Sequence, residues 1–414
     1  MTPEARIAQF IATATPPEDA LAIIRLALFD WAVCAVAGRG EPVARILRDL
    51  AVAEGPVGDR LPPARAALIN GATSHALDYD DTHFAHIGHT SVAVMPAVLA
   101  LSQGRTLDDA LQAALIGSEV AVRVGLWLGR GHYQVGFHQT ATAGAFGAAM
   151  AAARLLGLTQ GQIIAALGLA STKAAGLKSQ FGTMGKPLNA GLAAECGVLA
   201  AQWAQAGMTS ADAGLSGPLG FGATHHGAGD MAGFDRMGED WLMRAISHKF
   251  HACCHGLHAT LEALKGLDGD VAQLTITTHP RWMTVCNIVT PRSGLECKFS
   301  YRMVAAMHLA GISTAAIDSY TDAAAADPAL AALRDRVAVR EDAGLTEMQA
   351  RVDVTYRDGR KAQLFHDLNA PLDLATRVDR LTQKARAVVG GALADDLWAA
   401  VQADDTRALS NLIG

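Results

Sequence analysis

Three Asp and four His fall between His75 and His89, in the run His75-Ala-Leu-Asp78-Tyr-Asp80-Asp81-Thr82-His83-Phe-Ala-His86-Ile-Gly-His89. Imidazoles and carboxylates exchange protons near neutral pH, so this run suits general acid–base chemistry. Two other readings stand beside it: a polar loop between helices, and a metal site. The metal reading lacks an HExxH or HxH core and would need ordered partners behind each ligand.

Three more runs carry chemistry-bearing types. His138-Gln139-Thr140-Ala-Thr142 precedes a small-residue helix. A helix start offers N–H groups and a positive dipole end to an anion, and an ordinary cap would look the same. Lys186 sits in Gly185-Lys186-Pro187-Leu188-Asn189-Ala190-Gly191, between apolar runs with little other charge. It reads either as a surface lysine or as a half-buried cation suited to a carboxylate or an enolate. No GxxxxGK[ST] spacing exists, which excludes a Walker A loop. The fourth run, His248 to His258, holds four His, Cys253, Cys254 and Lys249. Adjacent cysteines rarely serve one tetrahedral zinc. A thiol nucleophile with a neighbouring base stays open there.

The elements that must position these residues follow from periodicity. Helices are expected from Pro17-Glu18-Asp19 to Gly38, and over Ser91–Ser102, Thr106–Leu126, Thr142–Leu156, Thr159–Ser171, Ala190–Ala206 and Leu257–Leu264. Ala213–Gly238 is Gly-rich and reads as a long loop with a short helix. After about Lys265 the texture changes. Strands are expected at Val271–Thr278 and Val337–Arg340, and a hairpin at Arg351–Tyr356 and Lys361–Phe365 with Asp358-Gly359 in its turn. Helices are expected at Phe299–Ala310 and Thr314–Thr321, and again from Thr376 to Ile413. The fold class is mainly α: a large helical domain over 1–264, a smaller α+β domain over 265–375, and a C-terminal segment, 376–414, that packs back on the helices.

With 414 residues and half of them hydrophobic, the chain can bury a large core across two domains. The net charge of −6 and the absence of a basic run argue against nucleic acid. The start, Met1 to Arg6, has no signal-peptide pattern, and the charge-free stretches His86–Gly104 and Gly131–Ala153 read as buried helix plus loop. A soluble protein of the reducing cytoplasm is expected, with no membrane partner. The six cysteines show no CxxC spacing, so neither zinc nor an iron–sulfur cluster is signalled.

Taken together, the runs resemble the MmgE/PrpD family, which contains 2-methylcitrate dehydratase, cis-aconitate decarboxylase and iminodisuccinate epimerase. The matching stretches are Asn70-Gly71-Ala72 with His75 to Thr82, His89-Thr90-Ser91, His138 before its helix, Gly185 to Gly191, Lys249 with the Cys-Cys…His tail, and Pro291 to Ser300. The resemblance implies a large helical domain from both chain ends, a smaller α/β lid, a homodimer, a site in the cleft between domains, and catalysis without metal or other cofactor. It gives Asp78, Thr82, His89, His138, Lys186 and Lys249 as site positions. Two positions depart from it. Cys254 stands where several members have His, with His255 and His258 nearby. Met303 stands where the decarboxylases have Tyr, with Tyr301 and Arg302 just before it.

The expected reaction is removal of a proton α to a carboxylate in a small di- or tricarboxylic acid. A dehydratase of 2-methylcitrate or citrate type, or a related lyase, leads. An iminodisuccinate-type epimerase and a non-catalytic binding protein are the alternatives. His138 or His89 is the expected base, Asp78 orients a histidine or serves as a second acid/base group, and Lys186 and Lys249 hold carboxylates. Thr82, His86, Cys254, His255, His258, Arg292 and Tyr301 are the candidate substrate contacts.

Overall fold

The computed structural model describes residues 1–54, 61–403 and 406–413. It divides into two compact units, Met1–His248 with Gly391–Gly414, and Lys249–Gly390. The first unit opens with α1 (Pro3–Thr13), α2 (Glu18–Ala37), α3 (Pro42–Glu54), α4 (Pro63–His75), α5 (Ser91–Leu101), α6 (Leu107–Val135), α7 (Gln139–Leu156), α8 (Gln160–Lys173) and α9 (Gly185–Gln205). Capping boxes start α6 and α8, Thr106 with Asp109 and Thr159 with Gln162. The Gly391–Gln402 and Thr406–Ile413 helices pack on α2 in the same unit.

α7 is the centre of this unit, buried along nearly all its length and packed on α5, α6 and α9. Small residues make that density possible. A Cβ on Gly117 would lie 2.5 Å from the Gly147 carbonyl oxygen, and one on Gly71 would lie 2.8 Å from the Gly191 Cα. Real side chains do not fit such gaps, so α6 meets α7 and α4 meets α9 backbone to backbone. The end of α4 and the starts of α5, α7 and α9 are thereby brought to one place. Two helices, Glu18–Gly40 and Leu107–Val135, are long and apolar enough to cross a membrane; 67% and 89% of their apolar windows are buried inside the protein.

The second unit holds a sheet of order β2-β1-β3-β4, with β1 at Val271–Thr278, β2 at Val337–Glu341, β3 at Gln349–Tyr356 and β4 at Lys361–Asp367. β1 runs parallel to β2 and antiparallel to β3, and β3 and β4 form a hairpin whose Gly359 takes φ +87°. Burial alternates along β3, one face in and one out. The His258–Leu264 helix packs on β3 and β4.

Several expectations are corrected. Thr314–Thr321 is not an α-helix; only a short 3-10 turn, Ile317–Ser319, forms there. α9 begins at Gly185 rather than Ala190, because Pro187 falls in the first turn, where a missing N–H costs nothing. α6 runs on to Val135 past a break at Gly129, φ 75°. The units divide at 248/249 and 390/391 rather than 264/265 and 375/376. The His258–Leu264 helix belongs with the sheet, and the Leu374–Val389 helix is tied to it through Arg380 on Glu262.

Candidate active site

Asp80 is the hinge of the cluster in the first unit. It is fully buried, and its two oxygens accept hydrogen bonds from His75 Nδ1 at 2.8 Å and His89 Nδ1 at 2.7 Å. Burial alone would raise the Asp80 pKa. The two imidazoles beside it outweigh burial and hold it well below the usual carboxylate range. With Nδ1–H given to Asp80, each ring presents its lone pair at Nε2. His75 ends α4 and His89 precedes α5, so the close α4–α5 packing sets this pairing.

Asp78 takes φ +51°, a left-handed conformation that Asp tolerates better than most residues. Its carboxylate lies 2.7 Å from Lys186 Nζ and 3.6 Å from His89 Nε2. Lys186 is in the first turn of α9 and also sits 5.5 Å above the Phe181 ring. His138 is the residue that starts α7. Its backbone N–H donates to Gly176 O, and its ring stacks 6.1 Å from His75 and meets Phe181 edge-on. Burial, with His75 and Lys186 adding to it, pushes the His138 pKa well below 6.5, so the ring is neutral at pH 7. The site therefore combines a neutral imidazole, a carboxylate-oriented imidazole, an ammonium and the positive ends of two helix dipoles. That set can hold an anion and move a proton.

Donor atoms of His75, Asp78, Asp80 and His89 lie within 4.8 Å of one another, a set that could hold a metal ion. Its protons and charges are already committed. Both Nδ1 atoms donate to Asp80, and the Lys186 ammonium on Asp78 would repel a divalent ion placed beside it.

The sequence-derived positions divide as follows. Asp78, His89, His138 and Lys186 converge. Thr82 pairs through its backbone with Ser247. His86 makes no hydrogen bond to this group among the described residues. It is completely buried, its ring lies against the backbone of Gly88 and Gly125, and neither ring nitrogen has a hydrogen-bond partner. Its neighbour Ile87 takes φ 53°, a strained value for a β-branched residue. His75, Asp80 and Asn189 were not singled out from the sequence. Asn189 is three residues after Lys186, so starting the helix at Gly185 would have put both on one face.

In the second unit, Lys249, Cys253 and His258 are buried, while Cys254 and His255 are half-buried. The His255 and His258 rings stack at 4.6 Å, and His258 Nε2 donates to Cys253 O. Burial pushes the Cys253 thiol up to about 12, so it is no ready nucleophile. Tyr301 is buried with its hydroxyl donating to Gly256 O at 2.7 Å and bonded to Thr278 at 2.9 Å. Its proton is thus committed. Arg292 is 85% exposed and paired with Glu296 on the surface of the unit.

Burial also dictates an acid response. His86, His138 and His258 are held well below 6.5 in the fold, and the unfolded chain restores the ordinary value. Below about pH 6.5 the unfolded state then binds more protons, and stability falls as pH falls, by about 1.4 kcal/mol per pH unit for each such ring. Asp81, raised by burial to about 8, opposes this, since its folded form holds a proton from pH 8 downward. The three rings outnumber it. Melting temperature is expected to drop between pH 7 and 5.5, and His86→Leu is expected to narrow that drop while keeping or raising stability at pH 7. Thermal melts at both pH values check this. An unchanged gap would show that the His86 ring finds a proton partner in the fold.

Residues 5–233 match the MmgE/PrpD N-terminal domain and residues 251–403 the MmgE/PrpD C-terminal domain. Cis-aconitate decarboxylase of Aspergillus terreus is 31% identical over 292 residues, 64% of this chain and 59% of that protein. The human cis-aconitate decarboxylase is 34% identical over 171 residues, 40% of this chain and 35% of its own. The aligned part thus spans less than two thirds of the curated relatives. The two domain matches cover the chain in order and on both units, and the chain belongs to the MmgE/PrpD family.

Proposed function

We propose that the chain is a metal-independent acid–base lyase that removes a proton from the carbon α to a carboxylate in a small di- or tricarboxylic acid. One observation carries the reading: Asp80 orients His89 beside a neutral His138 and the Lys186–Asp78 pair. Such a proton is weakly acidic. Its removal needs a placed base and a positive partner for the enediolate-like charge. His89 and His138 are the proton-transfer pair, and Lys186 with the α7 and α9 dipoles faces the charge. The relatives named cis-aconitate decarboxylase support a polycarboxylate substrate. Dehydration, as in a citrate or 2-methylcitrate dehydratase, starts from this step, whereas decarboxylation expels CO₂ and uses the same groups to stabilise and protonate the carbanion left behind.

A second reading, epimerisation of an iminodisuccinate-like acid, draws support from the second unit. Met303 has no proton to give and the Tyr301 proton is bonded to Gly256 O, so neither helps a leaving group depart. One experiment addresses both. Chelator-treated enzyme in D₂O is offered cis-aconitate, citrate, 2-methylcitrate and an iminodisuccinate, with CO₂, alkene absorbance and deuterium content followed. Deuterium uptake with CO₂ or alkene is expected for one acid. Uptake without either favours the epimerase. Activity that needs an added divalent ion would overturn the metal-independent account.

A further inference from the structure

His89 and His138 are chemically alike, and the acid–base reading leaves open which removes the proton. Their partners differ. Asn189 Nδ2 lies 3.3 Å from His138 Nδ1 and 3.3 Å from Leu177 O. A carbonyl oxygen only accepts, so the side of the Asn189 amide facing Leu177 is its NH₂. Turning the amide over would set two oxygens against each other. The NH₂ has two hydrogens, one for Leu177 O and one for His138 Nδ1. The local backbone holds this arrangement. Phe137 and Leu177 pair as an antiparallel bridge, His138 N–H donates to Gly176 O, and Lys178 N–H donates to Gly136 O. One short ladder therefore fixes the His138 backbone and the carbonyl that orients Asn189.

We infer that Asn189 is a positioning residue that holds neutral His138 with its proton on Nε2, making His138 a neutral hydrogen-bond donor to the developing charge and leaving His89 as the base. The inference rests on the acid–base reading for its catalytic meaning, and the tautomer itself does not. An imidazole whose Nδ1 accepts from Asn189 carries its hydrogen on Nε2, and among the described residues that Nε2 has no hydrogen-bond partner. At His89 the assignment is reversed, since Nδ1–H is given to Asp80 and Nε2 holds the lone pair. One ring is set to receive a proton and the other to donate a hydrogen bond. The neutral state of His138 suits a donor that must not carry charge beside Lys186.

The test is nitrogen NMR of ¹⁵N-histidine-labelled enzyme without substrate, with His138 assigned by comparison with His138→Gln. Wild type should show protonated Nε2 and bare Nδ1 for His138. Asn189→Asp should move the proton to Nδ1, because a carboxylate accepts from Nδ1–H. Its kcat should fall by about 10²-fold or more, with KM changed by less than about 3-fold. Asn189→Leu, checked for folding by circular dichroism, should give a mixture of tautomers and a smaller fall. A proton on Nδ1 in wild type, or an unchanged tautomer in a folded Asn189→Asp, overturns the inference. If the tautomer behaves as stated and no polycarboxylate exchanges deuterium, the fault lies with the proposed reaction and not with Asn189.

Discussion

Lys186→Met is expected to fold like wild type and to lose about 10²- to 10³-fold in kcat/KM on the true substrate. Met matches the length of Lys without its charge. The fold should tolerate the change because Asp78, the partner left behind, is 42% exposed and can be solvated by water. Turnover should not tolerate it, because Lys186 is the ammonium that, among the described residues, pairs into this cluster. A second signature follows from the electrostatics. Lys186 helps keep the His138 pKa low, so its removal should let that pKa rise. The acid limb of the pH–rate profile should then move to higher pH. Lys186→Arg keeps the charge but spreads it over a planar fork, and only partial recovery is expected. Near wild-type kcat/KM in a folded Lys186→Met would remove the cation from the mechanism.

The sequence made the main elements legible wherever the local signal and the tertiary demand agree. β1 was expected at Val271–Thr278 and forms there, and the Asp358-Gly359 turn joins β3 to β4. α7 was expected because its small residues run at helical density, although its start at Gln139, rather than Thr142, depends on His138 bonding to Gly176. The failures share one physical cause. Pro187 reads locally as a turn, and only the fold shows it inside the first turn of α9. Thr314–Thr321 has helical composition, but Thr314 is spent on His251 and Ala252, holding that stretch to a loop.

The same limit governs the site. Asp78, His89, His138 and Lys186 were readable as residue types in suggestive runs. The sequence alone gives Asp80 no distinct role, because the separations 75, 80 and 89 follow no helical or strand period. They become one network only when α4 and α5 are packed side by side. His86 shows the reverse case. Four histidines in one run look equivalent in a sequence, and burial against Gly88 and Gly125 separates this one from the rest.

His89→Gln is expected to give the largest loss, about 10³-fold or more in kcat, and to stop deuterium entering the substrate in D₂O while binding persists. Glutamine keeps polarity and rough size but cannot take a proton. Asp80→Asn should cost nearly as much for a different reason. Asp80 stays ionised because two imidazoles hold its pKa down, and its two oxygens fix both Nδ1–H tautomers at once. An amide offers one oxygen and one NH₂, so one of the two rings must turn or change tautomer, with kcat falling by about 10²- to 10³-fold. If Asp80 acts through His89, the double variant should be no slower than the worse single one. Rates whose losses multiply would mean that Asp80 serves the reaction through His75 or directly. A folded His89→Gln that still exchanges deuterium at wild-type rate would move the base to His138 and reverse the division of roles between the two rings.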